Sequence, residues 1–118
     1  MRRDPRTFLL DVRTAADSIA AFVLGRTIEE FTRDALVHSA VERQLEIIGE
    51  ALSQLTKVAP ELAEQIPDHR QIIGLRNILI HGYALVNREL IWRAVHENLP
   101  GLRATVDTLL RASGPPSE

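Results

Sequence analysis

The sequence contains no cysteine, which excludes two classes of protein at once. The chain cannot be a disulfide-stabilised domain of the kind common among small secreted proteins, and it cannot use a thiolate as nucleophile or metal ligand. Absence of cysteine fits a reducing compartment, so we expect a cytoplasmic protein.

Long apolar runs are absent as well. No segment approaches the roughly 20 apolar residues that a membrane-spanning helix requires. The basic start, Met1–Arg3, resembles the beginning of a signal peptide, but Asp11, Arg13 and Asp17 interrupt the apolar segment that would have to follow. We therefore expect neither a membrane span nor a signal peptide.

Motifs for metals and cofactors are missing too. The four histidines do not have the spacing of metal ligands: His38, His69, His81 and His96. The chain also lacks a Walker A loop and a dinucleotide-binding fingerprint. The sequence therefore predicts no metal site and no cofactor.

Positive charge is scarce for a protein that would bind nucleic acid, because the formal net charge is −2. The charge is unevenly distributed. The segment from His69 to Arg103 contains five arginines and two glutamates, a local excess of +3 that leaves −5 for the rest of the chain. This asymmetry fits a basic substrate-binding region, and it equally fits an ordinary solvated surface.

The residues that are present have the pattern of an all-α protein. The 118 residues are 45% hydrophobic and 25% charged, the balance of one globular domain. Apolar residues recur at three- and four-residue steps, and no strand pattern competes with them. We predict an up-and-down bundle of four to five helices over residues 1–112 and a flexible tail over residues 113–118.

Capping residues and prolines predict the helix boundaries. Asp4 should open the first helix, and Thr27 with Glu30 has the spacing of a capping box. The longest helix, with a heptad-like apolar stripe from Val37 to Leu55, should end at Pro60.

The next long helix should be capped by Asp68, and apolar residues surround it on nearly all sides between Ile72 and Ile80. Such a helix is either central to the bundle or sandwiched at an interface. Asn87 should cap the last helical stretch, which we expect to kink at Pro100.

Three glutamates at four-residue spacing form an acidic row on the longest helix: Glu42, Glu46 and Glu50. Such a row is most often a solvated face. The alternative is that Glu46 or Glu50 orients a basic group of a functional site.

The most distinctive chemistry lies between Arg76 and Tyr83, which read Arg-Asn-Ile-Leu-Ile-His-Gly-Tyr. Arginine has a planar fork of donors that suits phosphate, and histidine exchanges a proton near neutral pH. Gly82 is typical of a position just past a helix end, which would place His81 in the last turn, where the helix dipole favours imidazolium. This combination suits phosphodiester chemistry.

Geometry limits how these two groups can meet. At about 100° per residue, Arg76 and His81 point about 140° apart on an ideal helix, so the long arginine side chain would have to reach round it. The simpler alternative is an arginine paired with a neighbouring carboxylate and a histidine satisfied at the helix end.

The block from Arg76 to Tyr83 resembles the signature of the HEPN-domain toxins of the HepT type. The resemblance extends to residues 42–51, to residues 72–75 and to Asn98–Pro100, so that it covers roughly residues 8–110. Members of this family are small all-helical proteins that form homodimers and cleave RNA without a metal. A partner nucleotidyltransferase of the MNT type acts as their antitoxin.

The resemblance implies a role for each motif residue. His81 would act as general acid or base, Arg76 would stabilise charge on the phosphorane, and Asn77 would be auxiliary. A homodimer that brings two motifs to one cleft would supply a second imidazole. Tyr83 would be the residue to which the antitoxin attaches AMP, unless it only closes the core through a hydrogen bond to the backbone.

Two other functions stay open from the sequence. The chain could be a non-catalytic helical binding partner of a nucleotidyltransferase, with Arg76 helping to hold a nucleotide. It could also be a helical dimer with a purely structural role.

Overall fold

The structure is a computed structural model that describes residues 4–82 and 86–113. These residues form helices and no strand, which confirms the predicted all-α fold. The helices are α1 (Pro5–Val23), α2 (Ile28–Arg33), α3 (Ala35–Val58), α4 (Pro60–Ala63), α5 (His69–His81), α6 (Arg88–Arg93) and α7 (Leu99–Ala112). A π-helical turn, Ala94–Asn98, joins α6 to α7. Of these helices, α1, α3, α5 and α7 are the long ones.

Helix α3 organises the bundle. Both α1 and α5 pack on it, and α7 packs on α1. The predicted apolar stripe of α3 is buried, with Leu45, Ile48, Leu52 and Leu55 inaccessible to solvent. This burial supplies most of the driving force for the association of the long helices, because apolar area removed from water is the dominant favourable term in folding.

Several helix ends follow the predicted chemistry. The side chain of Asp4 accepts a hydrogen bond from the backbone N–H of Arg6 at 2.9 Å. Thr27 and Glu30 form both bonds of a capping box, and the side chain of Asn87 accepts from the first turn of α6. These bonds satisfy amide groups that have no partner within their own helix.

Asp68 is the N-cap residue of α5, as predicted, but its side chain does not cap the helix. Asp68 has left-handed backbone angles, φ 62° and ψ 18°, and makes no capping hydrogen bond. An N-cap residue needs extended backbone to turn its side chain onto the first helical amides. The carboxylate of Asp68 instead accepts a hydrogen bond from Nδ2 of Asn98 at 2.8 Å, which ties the start of α5 to the π-helical turn.

A π-helical turn directly precedes the predicted kink at Pro100, which stays a prediction. Pro100 occupies the first turn of α7, where its missing N–H would have had no partner in the helix. The π-helical turn accommodates an extra residue between α6 and α7.

Helix α5 is not central to the bundle. It buries Ile72, Leu75 and Leu79, and its principal packing partner is α3. On its other sides Ile78 is 38% exposed and Ile80 is 47% exposed. The interpretation of α5 as a central helix is therefore wrong, and its outer apolar residues remain available for an interface.

No helix in the described ranges combines the length and apolar character of a membrane span. Of the predicted C-terminal tail, only Ser113 lies within the described residues, and residues 114–118 lie outside them.

A glycine on α3 lets α5 come close. A Cβ added to Gly49 would lie 2.3 Å from the Cβ of Arg76 and 2.8 Å from its Cγ, closer than real carbon atoms approach. The absence of a side chain at Gly49 therefore allows the turn of α5 that carries Arg76 to lie directly against α3.

We expect Gly49→Ala to destabilise the protein by about 1–3 kcal/mol, because the added methyl group must push α5 away from α3. Gly74→Ala is the matched control, since Gly74 lies inside α5 with open space around its Cα. That change should be neutral or stabilising by up to about 1 kcal/mol, the helix-propensity difference between the two residues. Urea unfolding measures both, and equal stability of the two variants would contradict the close contact.

Candidate active site

Arg76 lies on the side of α5 that faces α3, and its side chain is only 17% exposed. Its Nη2 donates to Oε1 of Glu50 at 2.5 Å, and its Nη1 donates to Oδ1 of Asn77 at 2.6 Å. Its Nε is buried and has no hydrogen-bond partner among the described residues. The guanidinium is thus held in one orientation by a carboxylate of α3 and an amide of its own helix.

Glu50 is the centre of this small network. It also accepts a hydrogen bond from Nε2 of Gln54 at 2.9 Å. The bonds from Gln54 and Arg76 lower the pKa of Glu50 below its ordinary value, so the carboxylate is ionised at neutral pH. The Glu50 side chain is 51% exposed, and water therefore screens its attraction to Arg76.

The acidic row on α3 is not a solvated face along its whole length. Glu50 accepts a hydrogen bond from Arg76, the contact that the alternative interpretation requires, while the role of this pair in a functional site stays a prediction. Glu46 instead pairs with Arg43 of the same helix at 3.2 Å. Glu42 is buried, so the solvated-face interpretation is wrong for it.

His81 is the last residue of α5, as predicted, and it is exposed. The backbone N–H of Gly82 donates to the carbonyl of Ile78 at 2.8 Å and completes that last turn. Arg76 faces α3 while His81 faces outward, in agreement with the 140° expected from their spacing. Within the described part of the chain no hydrogen bond joins the two side chains, so one chain does not assemble them into a contiguous pair.

Beside α5 an open groove of about 640 Å³ runs along α3. Its lining includes the apolar residues Phe8, Ile47 and Ile80. The lining also includes charged groups of both signs, Asp11, Arg43, Glu46 and Glu50. Because three of these four groups are carboxylates, the groove disfavours a phosphate chain and suits a protein segment better.

In residues 4–82 and 86–113, no three imidazole or carboxylate groups lie close enough together to hold a metal ion. Metal-independent chemistry stays a prediction. Tyr83, the predicted site of AMP attachment, lies outside the described residues.

Two members of the site were not predicted from the sequence. Gly49 and Gln54 carry no functional signal of their own, although the four-residue spacing of Glu50 and Gln54 places them on one face of α3. Their role follows only from the position of α5, because Gly49 admits Arg76 and Gln54 holds its carboxylate partner.

The sequence profile of a family described as Ribonuclease HepT-like matches residues 12–109, which include Arg76 and His81. The chain belongs to this family. The resemblance found in the sequence is confirmed, and so is the expectation of a ribonuclease at the level of the family. No solved structure matches this HepT-like ribonuclease.

Relatives of the HepT-like ribonuclease cover nearly its whole length. It is 34% identical to "Putative RNase MJ1380" of Methanocaldococcus jannaschii, over 90% of this chain and 96% of the relative. It is 33% identical to "Putative RNase TTE0752" of Caldanaerobacter subterraneus, over 92% and 96% of the two chains. It is also 33% identical to "Probable ribonuclease HepT" of Thermococcus cleftensis, over 92% and 98%.

Proposed function

We propose that this HepT-like ribonuclease is the toxin of a toxin–antitoxin pair and cleaves RNA at a site built from Arg76 and His81, without a metal. The observation that carries the proposal is the fixed guanidinium of Arg76 on a helix that ends in an exposed histidine. The relatives named as ribonucleases support the choice of RNA as substrate. Its site of action would be the cytoplasm, in keeping with the lack of cysteine.

In the proposed mechanism the guanidinium of Arg76 stabilises negative charge on the phosphorane, and His81 transfers a proton to or from the 2′-hydroxyl or the leaving oxygen. Asn77 and Glu50 hold Arg76 in place through the two bonds already present. The guanidinium has five N–H donors, so donors remain for phosphate oxygens after these two bonds are made.

A homodimer would complete this site. A single chain has one imidazole in the motif, whereas cleavage through the 2′-hydroxyl needs one proton removed and another delivered. The exposed Ile78 lies near His81 on the outer side of α5, whereas Ile80, on the side nearer to Arg76, lines the groove that suits a protein segment. We therefore place the α5 helices of two chains near each other, with one imidazole from each at a shared cleft.

The dimer predicts that Ile78→Glu lowers the fraction of dimer at micromolar concentration, because a charge would be buried at the interface. Leu36→Glu is the matched control, since Leu36 is 82% exposed at the start of α3, away from α5. Sedimentation velocity distinguishes monomer from dimer. A wild-type protein that is monomeric at micromolar concentration would overturn the dimer.

Catalysis predicts that His81→Ala and Arg76→Ala each lower RNA cleavage by about 10²- to 10⁴-fold while helical content stays unchanged. His96→Ala and Arg70→Ala are matched controls, because both residues are exposed and the second lies on the same helix. A fluorescent RNA panel and circular dichroism supply the two readouts. Activity should persist in EDTA.

Each failure has a distinct meaning. If wild-type protein cleaves nothing in a broad RNA panel, the non-catalytic binding partner of a nucleotidyltransferase becomes the better account. If EDTA abolishes cleavage, the reaction requires a metal and the proposed proton-transfer chemistry is wrong.

We further propose that an MNT-type nucleotidyltransferase is the antitoxin and attaches AMP to Tyr83. Tyr83 follows His81 by two residues, so its modification would add bulk and about one negative charge per AMP close to the proposed catalytic histidine. The attached AMP phosphates would repel the RNA backbone and compete with it for the guanidinium of Arg76.

Co-expression with the cognate nucleotidyltransferase should give a nucleotide mass increase that maps to Tyr83 and rises as toxicity falls. Tyr83→Phe should remain toxic in the presence of the partner, because it offers no hydroxyl. Full neutralisation of toxicity with an unmodified Tyr83 would show that inhibition depends on binding alone.

A further inference from the structure

A second arginine is oriented by a buried carboxylate close to the proposed active site. Glu42 is 5% exposed and His38 is 7% exposed. Oε2 of Glu42 lies 3.4 Å from Nδ1 of His38 and 3.7 Å from Nε of Arg88, the first residue of α6. The three atoms are buried, and none of them makes a hydrogen bond to another described residue.

The contact with Glu42 orients Arg88. Its Nε faces the buried carboxylate, while the side chain as a whole is 33% exposed. The terminal nitrogens Nη1 and Nη2 make no hydrogen bond to any described residue and are not among the buried polar atoms, so they reach solvent. The Nε side of the Arg88 guanidinium thus faces Glu42, and its two terminal nitrogens face solvent. Two neighbouring exposed donors suit bidentate binding of phosphate.

The position of Arg88 along α3 relates it to the site. The chain passes from Arg76, which lies against Gly49, through His81 to Arg88, which contacts Glu42. His81 therefore lies between the two arginines in the sequence.

The distance between the two arginines follows from their partners. Glu50 holds Arg76 and Glu42 contacts Arg88. Eight residues separate the two glutamates, about 12 Å along a helix axis. Two guanidiniums thus contact α3 at different heights, and the proposed catalytic histidine belongs to the segment of chain between them.

We propose that Arg88 binds a backbone phosphate of the RNA substrate, farther along the strand than the phosphate at Arg76 and His81. Glu42 is the positioning residue that holds the Arg88 side chain, and His38 fills the buried side of the cluster. This inference rests on the proposed ribonuclease function, because it extends the same site along the RNA. The proposal also assigns a ligand to one of the five arginines in the segment from His69 to Arg103.

The test uses a short single-stranded RNA of mixed sequence with 2′-O-methyl groups throughout. Such an RNA lacks the 2′-hydroxyl nucleophile, so binding is measured without cleavage. Fluorescence anisotropy at several salt concentrations gives both the affinity and its salt dependence. Arg88→Gln should weaken binding about tenfold at low salt and reduce the slope of log K against log salt by about 0.7, the value for one contact to a single strand.

Arg93→Gln is the matched control. Arg93 lies in the same short helix, is 62% exposed, and forms only a long ion pair with Glu97 at 3.9 Å. Arg93→Gln should leave the affinity for RNA and its salt slope near the wild-type values. Arg88→Lys should keep the salt slope and lose part of the affinity, because lysine retains the charge without the planar fork.

A double variant is the control for loss of folding. Arg88→Gln alone leaves the buried carboxylate of Glu42 without its cation, which is destabilising. Glu42→Gln/Arg88→Gln removes both charges and should show the same loss of RNA binding in a well-folded protein. With a cleavable RNA, both variants should raise KM and leave kcat nearly unchanged, the pattern of a lost binding contact away from the reacting atoms.

Wild-type affinity and salt slope in both Arg88 variants would overturn the proposal, as would an equal loss in Arg93→Gln. Absence of wild-type binding to the 2′-O-methyl RNA would also overturn it. Arg88-dependent binding in a protein that cleaves no RNA would support this site and refute the proposed catalysis. If RNA cleavage is unchanged in the Arg88 variants, the proposed catalysis is supported and the Arg88 site is refuted.

Discussion

The packing of Arg76 against Gly49 is the constraint on which the rest of the site depends. A charged side chain rarely lies between two helices, and it does so here because α3 has no side chain at the point of contact. Once the arginine is there, Glu50 and Asn77 determine its orientation. The direction of His81 is then fixed by the helix that both residues share.

Two glutamates of the acidic row, Glu42 and Glu50, contact arginines from other helices, and the two contacts differ in burial. The pair between Glu50 and Arg76 is half exposed on the glutamate side, and pairs of that kind contribute about 0–1 kcal/mol. Such a pair orients Arg76 more than it stabilises the fold. The carboxylate of Glu42 is buried, and removing one partner of a buried pair costs about 3–5 kcal/mol. That pair is suited to fixing the position of α6.

In a single chain, Arg76 and His81 therefore point in different directions. Arg76 is turned inward and neutralised in part by Glu50, whereas His81 is exposed and lies near the partly exposed Ile78. A helix that packs on one neighbour and exposes isoleucine on its outer side is typical of an element that meets a partner. The small net charge of the chain is easier to reconcile with RNA binding when two such sites act together.

The sequence by itself determined the helical class, the helix caps and the motif. Periodicity specifies helices because burial of an apolar stripe selects the 3.6-residue repeat, and caps specify their ends because orphan amides need local partners. Both effects act over a few residues. For the same reason the angle between Arg76 and His81 could be calculated before the fold was known.

Only the tertiary structure decided which side chains meet. The spacing of Glu42, Glu46 and Glu50 was visible in the sequence, but their different fates depend on where α5 and α6 cross α3. The sequence placed Asp68 at the start of α5, but only the structure shows that its carboxylate binds Asn98 instead of the first helical amides. The left-handed backbone of Asp68 is the reason. Contacts between residues distant in sequence arise when whole helix faces pack together, and no local pattern in the chain encodes them.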